Sequence, residues 1–311
     1  SVVENAMNHL HRFAGIVVAA CLFLTCSASQ QVRRQGNSEF KIPFTLTAQN
    51  NIVVKTVLNH TDAFDLMLHT ATADVRLTED AVRKSKSIKF TDAAKVESWG
   101  GKSDSRFSLG NHLQIGALQW DGIKIWEDKN SGVGTDGKFG LDLFQGRIVE
   151  IDFDNQRITV SDRLPSKAAK YQRLKLETTN GDLFVEANCL IDGTAYSNRF
   201  LIHSGYSGGL LLDDAFVTRT SIDGKIKITE ESSLKDSFGN TIQVKKAVLP
   251  ALALGNLQLQ NVATGFFSGS IGRQKMSVLG GDVLKRFNLI FDIANNTLYI
   301  LRNSSSVSLK Q

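Results

Sequence analysis

From residue 40 onward, apolar and polar positions alternate with a period of two along much of the chain. Residues 40–58 contain Phe40-Lys-Ile-Pro-Phe-Thr-Leu-Thr and Ile52-Val-Val-Lys-Thr-Val-Leu, and Leu183-Phe-Val-Glu-Ala-Asn-Cys-Leu-Ile follows the same rule. Successive side chains of a strand point to opposite faces, so this period predicts half-buried β-strands. Asp192-Gly193 comes next, and Arg199-Phe-Leu-Ile-His203 is the following apolar run. An Asp-Gly pair between two such runs predicts a tight hairpin. Helical signals are short, at 78–85, 141–145 and 282–286. The chain reads as all-β.

The patterns recur. Gly140-Leu-Asp-Leu-Phe-Gln-Gly-Arg-Ile-Val-Glu-Ile-Asp-Phe-Asp-Asn aligns without gaps to Gly280-Gly-Asp-Val-Leu-Lys-Arg-Phe-Asn-Leu-Ile-Phe-Asp-Ile-Ala-Asn, an offset of 140. Leu113, Ile115, Gly116 and Leu118 match Leu252, Leu254, Gly255 and Leu257 at offset 139, and Phe64-Asp-Leu-Met-Leu-His-Thr-Ala matches Asn198-Arg-Phe-Leu-Ile-His-Ser-Gly at offset 134. Three blocks in one order at nearly one spacing predict a duplicated unit. The expected organisation is a lobe over 30–160, a polar linker over 161–170 containing Pro165, a second lobe over 171–302, and a frayed polar tail over 303–311.

Each half carries an apolar strand ending in His-Thr/Ser-Ala/Gly and, later, an apolar-Gly element before a short helix. These are Leu66-Met-Leu-His69-Thr70-Ala71 with Phe139-Gly140 in the first half, and Phe200-Leu-Ile-His203-Ser204-Gly205 with Val278-Leu279-Gly280 in the second. The chain resembles the aspartic peptidases of the pepsin and retropepsin type, especially the bacterial single-chain, two-lobed forms, over residues 40–302. The resemblance implies a two-lobed pepsin-like fold of barrel-like β lobes, with a central cleft and a pseudo-twofold axis. It also implies that the Thr70 and Ser204 hydroxyls cross-brace the motif loops. The family's motif is Asp-Thr/Ser-Gly. Here the two aspartate positions fall on His69 and His203, Ala71 stands for the first glycine, Gly205 is kept, and Lys138 replaces an apolar residue.

That departure bears on the chemistry. Two carboxyls share one proton in the family because like charges about 3 Å apart cannot both ionise. Imidazoles offer neither that charge nor that geometry, so acid-optimum proteolysis is expected to be absent. Four readings of the pair stay open: a degenerate contact between lobes, a cleft that holds peptide or another extended polypeptide without cutting it, a two-histidine metal site, and hydrolysis by an imidazole acid–base pair. His60 is expected in a solvated turn and His112 in an exposed loop near the family's flap. Asp142 and Asp282 are repeat-equivalent and suit the first turns of short helices, where the dipole favours a carboxylate; a general-acid pair is the sharper alternative. Asp74 is a loop residue or a replacement carboxylate. Gly132-Val-Gly-Thr-Asp-Gly137 lacks the Gly-Lys-Ser/Thr ending of a phosphate loop and reads as a turn.

The amino terminus reads differently. Met7-Asn-His-Leu-His-Arg12 precedes an uncharged run over 13–24, and Thr25-Cys-Ser-Ala-Ser follows. Basic start, apolar middle and small polar exit predict an export signal over 1–29, with Met7 a natural initiator; an uncleaved signal would tether the chain to a membrane. The chain is therefore expected outside the cytoplasm and monomeric. Cys21 and Cys26 fall in that segment, leaving Cys189 as a buried thiol with no disulfide partner. Of 311 residues, 36 are Lys or Arg and 31 Asp or Glu, a balance of +5 without an aromatic-basic stripe or zinc-finger spacing, so no nucleic-acid partner is expected. No cofactor is expected. Asn59-His-Thr and Asn303-Ser-Ser match the glycosylation acceptor pattern.

Overall fold

The computed structural model describes residues 38–90, 92–98, 101–235, 241–268 and 273–306. The expected export segment, with Cys21 and Cys26, lies outside the described residues. The first half contributes β1 (Glu39–Pro43), β2 (Thr45–Leu46), β3 (Ile52–Leu58), β4 (Asp62–Leu68), β5 (Val75–Thr78), β6 (Asp92–Ser98), β7 (Gly101–Ile115), β8 (Leu118–Asp128), β9 (Gly137–Phe139), β10 (Ile148–Asp152) and β11 (Arg157–Ser161). The second contributes β12 (Gln172–Lys175), β13 (Glu177–Thr179), β14 (Asp182–Ile191), β15 (Thr194–His203), β16 (Leu210–Leu211), β17 (Lys227–Lys235), β18 (Thr241–Leu254), β19 (Leu257–Ser268), β20 (Ser277–Gly280), β21 (Phe287–Asp292) and β22 (Thr297–Arg302).

The duplication is complete at the level of strand pairing. One sheet runs β2-β3-β4-β9-β5-β8-β7-β6 and the other β13-β14-β15-β20-β16-β19-β18-β17. Each strand of the second is the counterpart of one in the first. β3 also pairs β7, and β14 pairs β18, so both sheets curl back on themselves. In each, two parallel pairs (β4 with β9 and β5 with β8; β15 with β20 and β16 with β19) sit among antiparallel ones. The result is an all-β, two-lobed, pepsin-like fold.

A third sheet, β1-β11-β10-β21-β22-β12, takes strands from both halves. At its centre β10 and β21 pair antiparallel, with Val149 opposite Phe291, Glu150 opposite Ile290 and Ile151 opposite Leu289. Adding the repeat offset of 140 to 149, 150 and 151 gives 289, 290 and 291. The pseudo-twofold axis therefore passes through the Glu150–Ile290 pair. β21 is buried at all six positions, as befits a strand covered on both faces. β3 alternates, with Ile52, Val54, Thr56 and Leu58 inward.

The expected hairpin forms: Asp192 and Gly193 both take positive φ, +48° and +79°, between β14 and β15. Of the short helices, α1 (Glu79–Lys84) is capped by the Thr78 hydroxyl, Leu141–Phe144 is a 3-10 turn, and a helix covers Gly281–Leu284. Sequence reasoning missed the helix Asp214–Thr220, whose N-cap is Asp213. No helix among the described residues is long and apolar enough to cross a membrane.

The 161–170 stretch runs between β11 and β12, and within it Ser166–Lys170 forms a 3-10 turn that buries Ala168 against Ile290 and Tyr299. Two expectations need correction. The tail is anchored as far as it is described: Asn303 is 5% exposed, and its amide donates to the Lys285 carbonyl at 2.8 Å. A glycan on that nitrogen would break this bond and has no room. His112 lies within β7 rather than in an exposed loop. Its ring stacks on His60 at 4.0 Å, and its Nδ1 lies 2.7 Å from Asp121 Oδ1. His60 itself is in the expected turn, at φ +59° and exposed.

Candidate functional site at the lobe junction

The two motif loops leave the ends of β4 and β15. The His69 N–H donates to the Phe139 carbonyl at 2.9 Å, and His203 stands in parallel register with Gly280. Both apolar-Gly elements need glycine for close approach. A Cβ on Gly140 would overlap the Thr72 carbonyl oxygen, and one on Gly280 the Gly208 carbonyl oxygen. Each glycine thus lets the loop beyond its histidine lie against the neighbouring strand.

The loops are locked to each other by hydroxyls. Thr70 N–H donates to Ser204 Oγ at 3.0 Å, and Ser204 N–H donates to Thr70 Oγ1 at 3.0 Å. Thr70 Oγ1 then donates to the Ile202 carbonyl at 2.8 Å, and Ser204 Oγ to the Leu68 carbonyl at 2.7 Å. Thr70 and Ser204 are 4% and 1% exposed, so all four bonds are shielded from water. Asn51 and Asn50 add bonds from lobe one to the Ser204 and Ser207 carbonyls.

This lock brings His69 and His203 together, with ring centroids 4.5 Å apart and planes inclined at 57°. His69 is buried at 8% exposure. Its Nδ1 accepts from the Ala71 N–H at 3.2 Å, which assigns the proton of the neutral ring to Nε2. His203 Nδ1 is buried with no hydrogen-bond partner among the described residues. Gly205 makes room for the pair: a Cβ there would overlap Cδ2 and Nε2 of His69. The first motif does not mirror this. Ala71 packs instead on the second-lobe cluster of Phe184, Leu201, Leu211 and Val278.

Both imidazoles are held neutral at pH 7. Burial depresses His69 well below 6.5, and the charges of His203, Lys138 and Arg76 push the same way. Burial lowers His203 to about 4, with Lys138 adding to it. Lys138 Nζ lies 3.1 Å from Asp128 Oδ2, and Arg76 Nη1 lies 3.1 Å from Asp128 Oδ1. Two cations therefore share one carboxylate beside the pair.

The other candidates have separate partners. Asp74 adopts φ +66°, accepts from Trp126 Nε1 at 3.0 Å, and donates its N–H to Asp142 Oδ2 at 3.0 Å. Asp142 sits in the first turn of its 3-10 helix, with its pKa raised by burial. Asp282 sits in the first turn of Gly281–Leu284 and pairs with Lys285 and Arg286. The repeat-equivalent aspartates are tied into different local networks. The 132–137 segment is a turn, with Thr135 N–H donating to the Gly132 carbonyl and β9 following. Cys189 is fully buried on β14, and burial pushes its thiol up to about 12. Among the described residues no three His, Cys, Asp or Glu side chains gather to ligate a metal. Sequence reasoning missed Arg76, Asp128 and Trp126; the nearest signal was the out-of-pattern Lys138.

The lobe arrangement has a counterpart among solved structures. The aspartic proteinase from Irpex lacteus is similar to this chain with a TM-score of 0.58 and 12% sequence identity, over 88% of this chain and 100% of that one. The likeness is one of fold. No protein-family model and no curated protein matches the chain.

Proposed function

We propose that this chain is an exported aspartic-peptidase-like protein in which His69 and His203 stand where the family's dyad carries carboxylates. It binds peptide or another extended polypeptide in the cleft between the lobes without cutting it. The observation that carries this reading is the geometry of the pair: two imidazoles with ring centroids 4.5 Å apart, whose burial, with the charge of Lys138 near both and of Arg76 near His69, disfavours protonation.

Aspartic catalysis needs one carboxylate to take a proton from water and one carboxylic acid to give a proton to the carbonyl oxygen. A neutral imidazole pair lacks the acid, because giving up its remaining N–H proton would leave an anion. The base half is impaired as well. Taking a proton would create a cation in a buried site that already faces Lys138. A water between the rings has no anionic host.

The test is cleavage of a denatured protein between pH 3 and 7 by the wild-type chain and by His69→Asp with His203→Asp. Wild type should be inactive. The double variant should gain acid-range activity, partial because Ala71 and Lys138 remain. Wild-type turnover equal to that of the double variant would overturn the reading, and its sensitivity to a chelator would then separate a metal route from an imidazole one.

A further inference from the structure

The face of the lobe-one sheet turned away from its core carries a row of paired residues that starts at the imidazoles. Lys138 on β9 is opposite Arg76 on β5, Arg76 is opposite Trp126 on β8, and Trp126 is opposite Phe107 on β7. Directly paired residues share a face of the sheet. Their chain neighbours Phe139, Val75, Leu77 and Ile125 point the other way and are buried. All four members of the row are only partly buried.

The row changes character along its length. Its inner end is cationic and acts on both imidazoles. Its outer end is aromatic: Trp126 and Phe107 lie 5.1 Å apart, and Lys124 Nζ sits over both rings at 4.1 and 4.2 Å. Asp128 is shared by Lys138 and Arg76, and Asp74 is bonded to the Trp126 indole with Asp142 behind it. Lys124 has no carboxylate partner among the described residues. Asp128 is the one carboxylate in ion-pair contact with Lys138 and Arg76, Asp142 acts on Arg76 from farther off, and the histidine pair beside Lys138 supplies no anion.

We infer that this row selects an extended peptide bearing a carboxylate side chain, seated at Lys138 beside His69 and His203, and an apolar or aromatic side chain four residues away, seated on Trp126 and Phe107. The inference rests on the peptide-binding reading above and names its ligand class. The spacing follows from strand geometry. Three steps across a sheet at ~4.8 Å span about 14 Å, and an extended peptide at ~3.3 Å per residue covers that in about four residues. Residues i and i+4 of such a peptide point the same way. A carboxylate there gives Lys138 an ion-pair partner that it does not have to share with Arg76, in a partly desolvated setting where a charge-assisted bond is strong.

The test measures affinities of capped, dye-labelled seven-residue peptides by fluorescence anisotropy. One has Glu and Phe four apart, and a second has Gln in place of Glu. Wild type should bind the Glu peptide about tenfold more tightly at low salt, and the advantage should shrink as salt screens the contact. Lys138→Met should abolish the advantage while keeping the wild-type circular dichroism spectrum and melting behaviour, which report an intact fold; Lys138→Arg should keep it. Equal wild-type affinities would overturn the acidic preference and leave the binding reading standing. No binding of either peptide would overturn both. A preference that survives Lys138→Met would overturn the placement at Lys138.

Discussion

Lowering the pH from 7 to 4 should destabilise the folded chain by on the order of 3 kcal/mol through His203 alone. The group titrates near 6.5 in an unfolded chain and at about 4 here, first because burial disfavours the imidazolium and then because Lys138 is near. Above 6.5 the ring is neutral in both states and its contribution to stability is fully in place. Between 6.5 and 4 the unfolded chain takes up a proton that the folded chain refuses, so stability falls with pH; below about 4 the loss levels off. That gap at ~1.4 kcal/mol per pH unit gives the figure. His69, lowered by burial, its partner ring, Lys138 and Arg76, adds a loss of the same sign. Carboxylates such as Asp154, held low by the Ser304 hydroxyl, also lose stability in acid, so a bare acid-denaturation curve does not isolate the pair. The assay is therefore differential: urea unfolding of wild type and of His69→Gln with His203→Gln from pH 7 to 4. The double variant has its own offset, but its stability should fall less steeply between 6.5 and 4. Parallel curves would refute the reasoning, and imidazole proton shifts titrating near 6.5 in the folded wild type would refute it independently.

Two further substitutions probe the junction. Gly205→Ala should destabilise by roughly 1–3 kcal/mol, an overpacking penalty, because its methyl meets the His69 ring; adding His69→Ala should recover most of it in a thermal or urea melt, whereas an additive double variant would show that the ring is not the obstacle. Thr70→Val should cost roughly 2–4 kcal/mol, because it strands the buried Ser204 N–H and Ile202 carbonyl together; a loss below 1 kcal/mol would mean that the brace is dispensable.

Much of this architecture is legible in the sequence because a duplicated strand pattern leaves two independent readings of every element. The offset of 140 locates the β10–β21 pair across the axis, and Asp192-Gly193 marks its turn because both residues tolerate positive φ. The same logic could have found the missed helix. The Thr78-capped α1 carried forward by 135 residues falls on Asp213 and Asp214–Thr220. What could not be read are contacts set by sheet register between distant strands. Nothing local announces that Arg76 will face Trp126 or that Asp128 will be shared with Lys138. Asn303 misled for a related reason: a polar, Ser-rich segment looks solvated until a buried carbonyl at Lys285 needs its amide.

The junction separates scaffold from chemistry. Its four bracing bonds use the Thr70 and Ser204 hydroxyls and main-chain groups, and none of them uses the side chain of residue 69 or 203. A change at those two positions therefore leaves the lobes joined as before, provided that the new side chains fit. Gly205 supplies the room for one ring. Ala71, free of that duty, adds its methyl to the opposite lobe's apolar cluster. The fold is thus held by groups that do no chemistry, which is why likeness of fold at 12% identity carries no activity with it. On the reading proposed above, the charge at positions 69 and 203 decides the chemistry: two neutral rings beside Lys138 suit the reception of an anion rather than the polarising of water.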